Sequence, residues 1–419
     1  MSKYLFLIGK YFPNPSPNSI CVREVMLALK NNNVDVSCVA INENNLPKYE
    51  FINEIHVYRI KGRFANRILS KTNEVTFLNR QIIKLILFYS RLQGAFLAPL
   101  WPFLSIGLVI RYYLQSKKII EKGETEVIVS IYKGIEALLA GVLIKKRYPK
   151  IKLILYNLDC MSGSLVPKIR GSNMAFKSIY RWEKLTFNQA DAVCIMHSHK
   201  SHYNHEKYRA FKEKFILMDI PLFKHEEIIS VPNQKNNNHI RLVFTGSMSE
   251  ETANPTYFIK ILESIFENFI LDIYGGTRSI SISTRIKNSP IYNKKIFWHG
   301  IVSPEIAAKM QQESDVLISF GNDNECMIPS KIFEYIASRK HVIHLYKSHR
   351  DSSIPYFKKY MNATLIKEDV NLLSANIETV KSLISKLPYM ELDRKILLKK
   401  FEQNTPFPMA NFLSQLINS

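Results

Sequence analysis

Cysteine is scarce in this sequence. There are five in 419 residues, an odd number, scattered and without a C-x-x-C pair. That usage argues for a reducing compartment. Low-complexity tracts and long blocks of one charge are absent, and a composition 46% hydrophobic and 22% charged is that of a globular chain able to bury a large core. Acidic residues are under-represented, 36 against 57 Lys and Arg, for a formal net charge of +21. Such an excess favours an acidic partner (phosphate, nucleic acid or an anionic membrane surface) and says nothing about fold. The opening stretch, MSKYLFLIGKYFPN, lacks the apolar length and the small-residue cleavage site of a signal peptide, so a cytoplasmic location is expected.

What is present is a repeated pattern. YLFLIG (4–9) reads as a buried strand, followed by a proline-punctuated loop. Val22, Val25, Met26 and Leu29 then recur at helical spacing. NNN (31–33) ends that helix and VDVSCVAI begins a second strand. Strand, helix, strand in this order predicts a parallel sheet with helices on its faces. The pattern continues through EVIVSIY (126–132), an apolar helix over 134–148, IKLILYNLD (151–159), a helix over about 173–189, DAVCIMH (191–197) and FILMDI (215–220). The polar VPNQKNNNH (231–239) reads as a linker, after which the pattern restarts. IRLVFTGS (240–247), FILDIYGG (269–276), KKIFWHG (294–300), DVLISF (315–320) and HVIHLY (341–346) are strands; 255–265 and 304–314 are helices. At about 100–200 residues per domain, two α/β domains are expected, 1–222 and 223–400, with a final segment 401–419. Ligands of open α/β sheets bind at the carboxyl ends of the strands.

The stretch after DVLISF is the most informative. PSKIFEYIAS (329–338) predicts a helix with Pro329 at its first position, where a missing N–H costs nothing. Free amides and the helix dipole make such an end an anion site. Ser330 adds a hydroxyl and Lys331 a point charge. Glu334, three residues on, shares a face with Lys331. A carboxylate repels phosphate, so it suits hydroxyls, such as the vicinal pair of a ribose. Phosphate at the helix start with ribose one turn along is the geometry of a nucleoside diphosphate. The plainer alternative is an amphipathic helix with a solvated Lys331–Glu334 pair.

Several stretches together resemble the retaining GT-B glycosyltransferases, in particular family 4 members of bacterial surface and capsular polysaccharide pathways. PSKIFEYIASRKHVI resembles their donor-nucleotide helix. LVFTGS followed by Asn254-Pro255, LDIYGG, and WHGIVSPEIAAKMQQESDVLIS resemble the successive units of their C-terminal domain. EQNTP (402–406), before an apolar helix, resembles the segment that crosses back to the N-terminal domain. The resemblance implies two Rossmann-like domains with parallel sheets facing a central cleft, an N-terminal acceptor domain and a C-terminal nucleotide-sugar domain. It implies that Glu334 would hold the donor ribose, and that Ser330, Lys331 and the helix amides would hold the diphosphate. Gly246 would admit the phosphates, Arg278 would add a contact, and the backbone around His299, Gly300 and Ile301 would border the base, by family habit uracil. The reaction implied is transfer of a sugar from a UDP-sugar, with retention, to a lipid-linked or growing saccharide, without a cofactor or an essential metal. No D-x-D motif occurs, which disfavours the metal-dependent transferase fold.

The sequence also departs from the family pattern. Many members carry a second glutamate eight residues before the ribose-binding one; here Cys326 stands there, with Glu325 beside it and Asn322, Asp323 and Asn324 in the same loop. Glu325, Asn324 or Asn322 can supply polar groups to the sugar instead. The glycine pair usual after the first strand is replaced by Ser16-Pro17-Asn18-Ser19; Asn18 and Ser19 are candidate donor or acceptor contacts, or plain turn residues. A phosphate leaving group needs preorganised positive charge and amides, a role for Lys331. Asp159, at the end of IKLILYNLD, is a candidate for sugar or acceptor positioning. Alternatives left open are a non-catalytic relative, a nucleotide-sugar epimerase, and a basic membrane- or nucleic-acid-binding protein.

Two further segments stand out. HSHKSHYNH (197–205) holds four histidines, but its spacing matches no closed metal site, and a polar surface helix is expected. Between Arg59 and Lys122 there are twelve Lys or Arg against two Glu, mixed with IIKLILFYSRL (82–92) and the uncharged LQGAFLAPLWPFLSIGLVI (92–110). Pro99, Pro102, Gly94 and Gly107 argue against one straight span. A peripheral place on an anionic inner membrane surface is expected from this mixture, with burial inside the N-terminal domain or a true span as the alternatives, and it ranks nucleic acid below membrane as the partner.

Overall fold

The structure, a computed structural model, describes residues 3–13, 15–42, 46–63, 104–163, 172–223, 239–386 and 392–418. The apolar stretch up to residue 103 and the linker over 231–238 fall outside these. The chain divides into two compact units: Met1–Leu222 with Gln403–Ser419, and Phe223–Glu402.

The first unit is built on an eight-stranded sheet. β1 (Tyr4–Lys10) is buried through Gly9. α1 (Pro17–Asn31) starts at a Ser16 cap with Pro17 in its first turn, and buries the expected Val22, Val25, Met26 and Leu29. Then come β2 (Val36–Asn42), a hairpin of β3 (Tyr49–Ile52) and β4 (Ile55–Lys61), α2 (Ile106–Ile120), β5 (Val127–Ile131), α3 (Ile135–Arg147), β6 (Lys152–Asn157), α4 (Ser172–Gln189), β7 (Ala192–Met196) and β8 (Phe215–Met218). The sheet order is β3-β4-β2-β1-β5-β6-β7-β8, parallel except at β3. The hairpin was not legible in the sequence. Its turn residues, Asn53 and Glu54, both have positive φ (47° and 62°), but Asn-Glu lacks the glycine that flags such a turn.

The second unit holds a six-stranded parallel sheet. Its elements are β9 (Ile240–Thr245), α5 (Thr256–Leu262), β10 (Phe269–Tyr274), α6 (Ile280–Lys287), β11 (Ile296–Gly300), α7 (Pro304–Glu313), β12 (Val316–Phe320), α8 (Lys331–Ala337), β13 (His341–Tyr346), α9 (Ile354–Tyr360), β14 (Ala363–Lys367), α10 (Leu373–Ser385) and α11 (Arg394–Lys400). The order β11-β10-β9-β12-β13-β14 is the doubly wound arrangement in which strands run outward in both directions from the first. Its core packs Leu242, Phe258, Leu262, Ile273, Ile318 and Ile343 between sheet and helices.

The last helix, α12 (Phe407–Asn418), belongs to the first unit. It packs on α1; the Tyr4 hydroxyl donates to the Leu413 carbonyl (2.6 Å), and the Lys152 ammonium to that of Leu416 (2.6 Å). Among the described residues, no helix is long and apolar enough to cross a membrane.

Candidate functional site

In each sheet the winding direction reverses at one point, and there two neighbouring strands send their following loops to opposite faces. The carboxyl ends of such a pair frame a crevice open to a ligand. In the second unit the pair is β9 and β12; in the first it is β1 and β5.

Around β9 the strand ends are reduced to bare backbone. The Gly246 amide donates to the Tyr274 carbonyl (2.9 Å), the Gly275 amide to that of Gly300 (2.7 Å), and the Met248 amide to that of Gly276 (2.9 Å). A β-carbon on Gly275 would stand 1.7 Å from the Gly246 carbonyl oxygen. That contact fixes glycine at 275, a position not singled out in the sequence.

Beyond β12 the chain loops into α8. Contrary to expectation, Pro329 is not the first helical residue. The helix opens at Lys331, with Ser330 as the cap residue and no side-chain cap bond. The carbonyls of Pro329 and Ser330 accept from Ile332 (3.2 Å) and Phe333 (3.3 Å), so a tightened turn precedes the helix and holds the proline one residue before the cap. The Lys331 ammonium lies 2.7 Å from Glu334 Oε2, and the two side chains are 38% and 47% exposed. The next residue, Tyr335, is buried, and its hydroxyl oxygen accepts the Thr245 amide (3.1 Å). This bond ties α8 to the end of β9. Burial pushes the Tyr335 phenol up to about 12. Gln311, buried at the end of α7, donates to Thr245 Oγ1 (2.7 Å) and reaches Glu334 Oε2 at 3.5 Å. Neither Tyr335 nor Gln311 carried a sequence signal; both act across distant positions. The result is an ammonium and a carboxylate, both accessible, beside glycine-lined strand ends.

His299 is more than a backbone position. Its Nε2 lies 2.6 Å from Asp272 Oδ1, its ring stacks on Tyr274 (centroids 4.4 Å apart, planes 10° apart), and Arg241 Nε holds the other Asp272 oxygen at 2.8 Å. Gly300 takes a φ of 72°, and Ile301 is 86% exposed. Arg278 is exposed and pairs with no carboxylate among the described residues. Beside it, Glu250 accepts the Ser279 and Ser281 hydroxyls (2.7 and 2.8 Å).

The loop between β12 and α8 revises one expectation. Asn322 is buried; its amide donates to the Met327 carbonyl (2.9 Å) and its oxygen accepts the Asn324 amide (2.8 Å). With both ends of the side chain used inside the loop, Asn322 shapes the loop rather than presenting a group outward. Asp351, paired with His344 beneath it (3.3 Å), accepts the Asn322 amide (3.2 Å), and Ser352 Oγ donates to the Met327 carbonyl (2.6 Å). Glu325 faces Arg350 at 3.2 Å.

At the reversal point of the first unit, Asn18 and Asp159 come together although 141 positions apart. The Asn18 amide donates to Asp159 Oδ2 (2.8 Å) and to the Tyr132 carbonyl (3.1 Å). Burial and the Asp159 charge raise the Tyr132 phenol. Ser19 is otherwise engaged: it is buried, with its hydroxyl 2.9 Å from that of Ser16 in the helix cap. The turn after Asp159 is held by Glu183 of α4, which is fully buried and accepts from the Ser162 amide (3.1 Å), the Ser162 hydroxyl (2.9 Å), Tyr203 (3.0 Å) and Tyr208 (2.6 Å). Burial raises the Glu183 pKa against the pull of these bonds.

The histidine tract is helical as expected, a 3-10 turn over His197–His199 running into a single α-turn over Lys200–Tyr203, but its inward side completes this cluster. His199 and Tyr203 are buried, Tyr203 against the rings of Phe187 and Phe215, and His202 Nε2 lies 2.6 Å from Ser162 Oγ. Burial, then Lys207 and His205, lower the His202 imidazole from 6.5 to about 4. The folded chain therefore keeps His202 neutral, and the stability present above pH 6.5 is lost as pH falls toward 4. His202→Gln is expected to flatten the acid limb of the stability profile by about 1–2 kcal/mol, after discounting for the exposed part of the ring. Urea midpoints of both proteins across that window measure it; identical slopes would refute the neutral assignment.

No protein-family model matches the sequence, and no curated protein matches it. Solved structures do. A sucrose-phosphate synthase from Thermosynechococcus elongatus superposes with a TM-score of 0.64 at 13% identity, covering 100% of this chain and 98% of that one. Anabaena Alr3699/HepE in complex with UDP gives 0.59 at 12%, covering 99% of each chain. WaaG, a glycosyltransferase involved in lipopolysaccharide biosynthesis, gives 0.57 at 12%, covering 98% and 99%. These neighbours are GT-B glycosyltransferases, and at such identities the likeness establishes the fold: the chain has the α/β GT-B fold, two Rossmann-like units in one polypeptide.

Proposed function

We propose that the chain is a retaining glycosyltransferase, similar to the family 4 enzymes, that moves a sugar from a UDP-sugar to a lipid-linked or growing saccharide. One observation carries this reading: an accessible Lys331–Glu334 pair stands at the reversal point of the second sheet, tied through Tyr335 and Gln311 to the end of β9, where Gly246 follows. The glycines leave no side chain over these strand ends, so a diphosphate can approach the backbone closely. Lys331 and Ser330 take phosphate oxygens, with Arg278 within the same group of loops. Glu334 takes the ribose hydroxyls. His299, Gly300 and Ile301 border the base.

The chemistry follows from charge. Cleaving the bond from the anomeric carbon to the diphosphate leaves negative charge on the leaving oxygen, which Lys331 and the amides stabilise before it forms. The sugar becomes oxocarbenium-like, and the acceptor hydroxyl attacks from the leaving-group face, giving retention without a protein nucleophile. Asp159, held by Asn18, positions the acceptor or sugar. Glu325 supplies the polar group that Cys326 does not. The same reading places the protein on an anionic membrane surface, supported by the charge excess, with no nucleic-acid partner. A non-catalytic relative is the second reading, favoured by Cys326 and by the Arg350 partner of Glu325.

The test is thermal unfolding with a panel of nucleoside diphosphates and their sugars. Ligand at about 100 times its Kd stabilises by about 2.7 kcal/mol, a rise of roughly 5–10 °C for a unit of this size. UDP is expected to give that rise, and UDP-sugars to be consumed when a saccharide acceptor is added. No rise with any nucleotide would refute the donor site. Binding without turnover would support the non-catalytic reading.

A further inference from the structure

One helix of the first unit is covered on one side only. α2 buries Leu108, Val109, Tyr112, Ser116, Ile119 and Ile120. It is firmly held: the Tyr112 hydroxyl donates to the Ile8 carbonyl, Arg111 Nε to that of Lys61 (2.8 Å), and the amide of Ser105, just before the helix, to buried Glu136 (3.0 Å). On the opposite side Ile106, Ile110 and Leu114 are 67%, 48% and 48% exposed. Their i, i+4, i+8 spacing stacks three branched aliphatic chains in one line along the helix. Isolated apolar residues on a surface are ordinary; a contiguous line on a well-anchored helix marks an interaction face. One turn further, Lys117 and Lys118 continue it; the helix itself holds no acidic residue, and Glu121, which caps its C-terminus, lies 3.6 Å from Lys117. Lys61, exposed at the end of β4, stands where Arg111 joins that strand.

We propose that this face of α2 docks on an anionic lipid bilayer. The aliphatic line enters the boundary between headgroups and acyl chains, and Lys117, Lys118 and Lys61 meet lipid phosphates. The inference rests on the membrane part of the reading above and names the element responsible; it does not depend on transfer activity. Charge selects this occupant over others. A second copy docked on the same face would set lysine against lysine between two chains of net charge +21. A nucleic acid would satisfy the lysines and leave three aliphatic chains in water.

The experiment is flotation of the full chain with vesicles of phosphatidylglycerol and phosphatidylcholine, and with phosphatidylcholine alone. The chain is expected to float with the anionic vesicles, less so in high salt, and poorly with the neutral ones. The combined Ile106→Ser, Ile110→Ser, Leu114→Ser variant is expected to bind anionic vesicles at least about tenfold more weakly, with its thermal midpoint kept because all three side chains are exposed. Lys117→Glu with Lys118→Glu is expected to remove most of the salt dependence. Absence of flotation by the parent chain overturns the proposal, as does flotation of the triple variant at the parent level. A dimer in light scattering that the triple variant dissociates would also overturn it, with a second copy as the occupant. A failed nucleotide test leaves these outcomes unchanged, so the two readings fall separately.

Discussion

Glu334→Ala is expected to weaken UDP binding by about 10- to 150-fold while leaving the fold intact. The magnitude is that of a charge-assisted hydrogen bond, about 1.5–3 kcal/mol, converted at about 1.4 kcal/mol per decade. The fold survives because the carboxylate is 47% exposed and its ion-pair partner Lys331 is 38% exposed; such a pair contributes about 0–1 kcal/mol. The loss is expected to be selective. Without Glu334, Lys331 loses its carboxylate neighbour at 2.7 Å and meets an incoming anion unopposed. Inorganic pyrophosphate is therefore expected to bind the variant as well as the parent or better, while UDP binds worse. Titration calorimetry with both ligands separates the cases. Parallel loss of both would place Glu334 at the phosphates, and no loss of either would remove it from the site. Glu334→Gln, which keeps one acceptor oxygen without the charge, is expected to fall between.

The parts of this site that were legible in the sequence are local. A short apolar run, DVLISF, leading into the PSKIFEYIAS helix located the loop between β12 and α8, and the three-residue step from Lys331 to Glu334 placed both on one face. The glycines of FTGS and YGG mark strand ends by composition alone. What stayed hidden depends on pairings across the chain. Gln311 and Tyr335 meet Thr245 from 66 and 90 positions away, and a buried glutamine or tyrosine in an amphipathic helix carries no mark of its partner. Asn18 and Asp159 each stood out as candidates, but only the β1–β5–β6 order brings them to one end of the sheet. Asn322 misled because a polar loop residue and a loop-shaping residue have the same composition; its burial decides between them. Pro329 misled by one step, since a proline just before the cap and one just after it leave the same trace.

Gly275→Ala is expected to be the most damaging single methyl addition in the second unit. The new carbon would lie 1.7 Å from the Gly246 carbonyl oxygen and 2.7 Å from its carbon. Those atoms are backbone at the end of a central strand, so no side-chain rotation relieves the clash. The φ of 156° adds strain. A cost of about 3 kcal/mol or more is expected. Gly300→Ala is the matched control: its φ of 72° is unfavourable for alanine, but nothing lies within 4 Å of the added carbon, so only about 1 kcal/mol is expected. Urea unfolding of the two variants gives the difference directly. Any relief of the clash must move Gly246, the residue through which the end of β9 would approach a diphosphate. UDP affinity should therefore fall in Gly275→Ala even under conditions where the variant remains folded. Equal costs for the two substitutions would mean that the strand end relaxes freely, and a strand end that relaxes freely cannot keep a fixed path open for a phosphate.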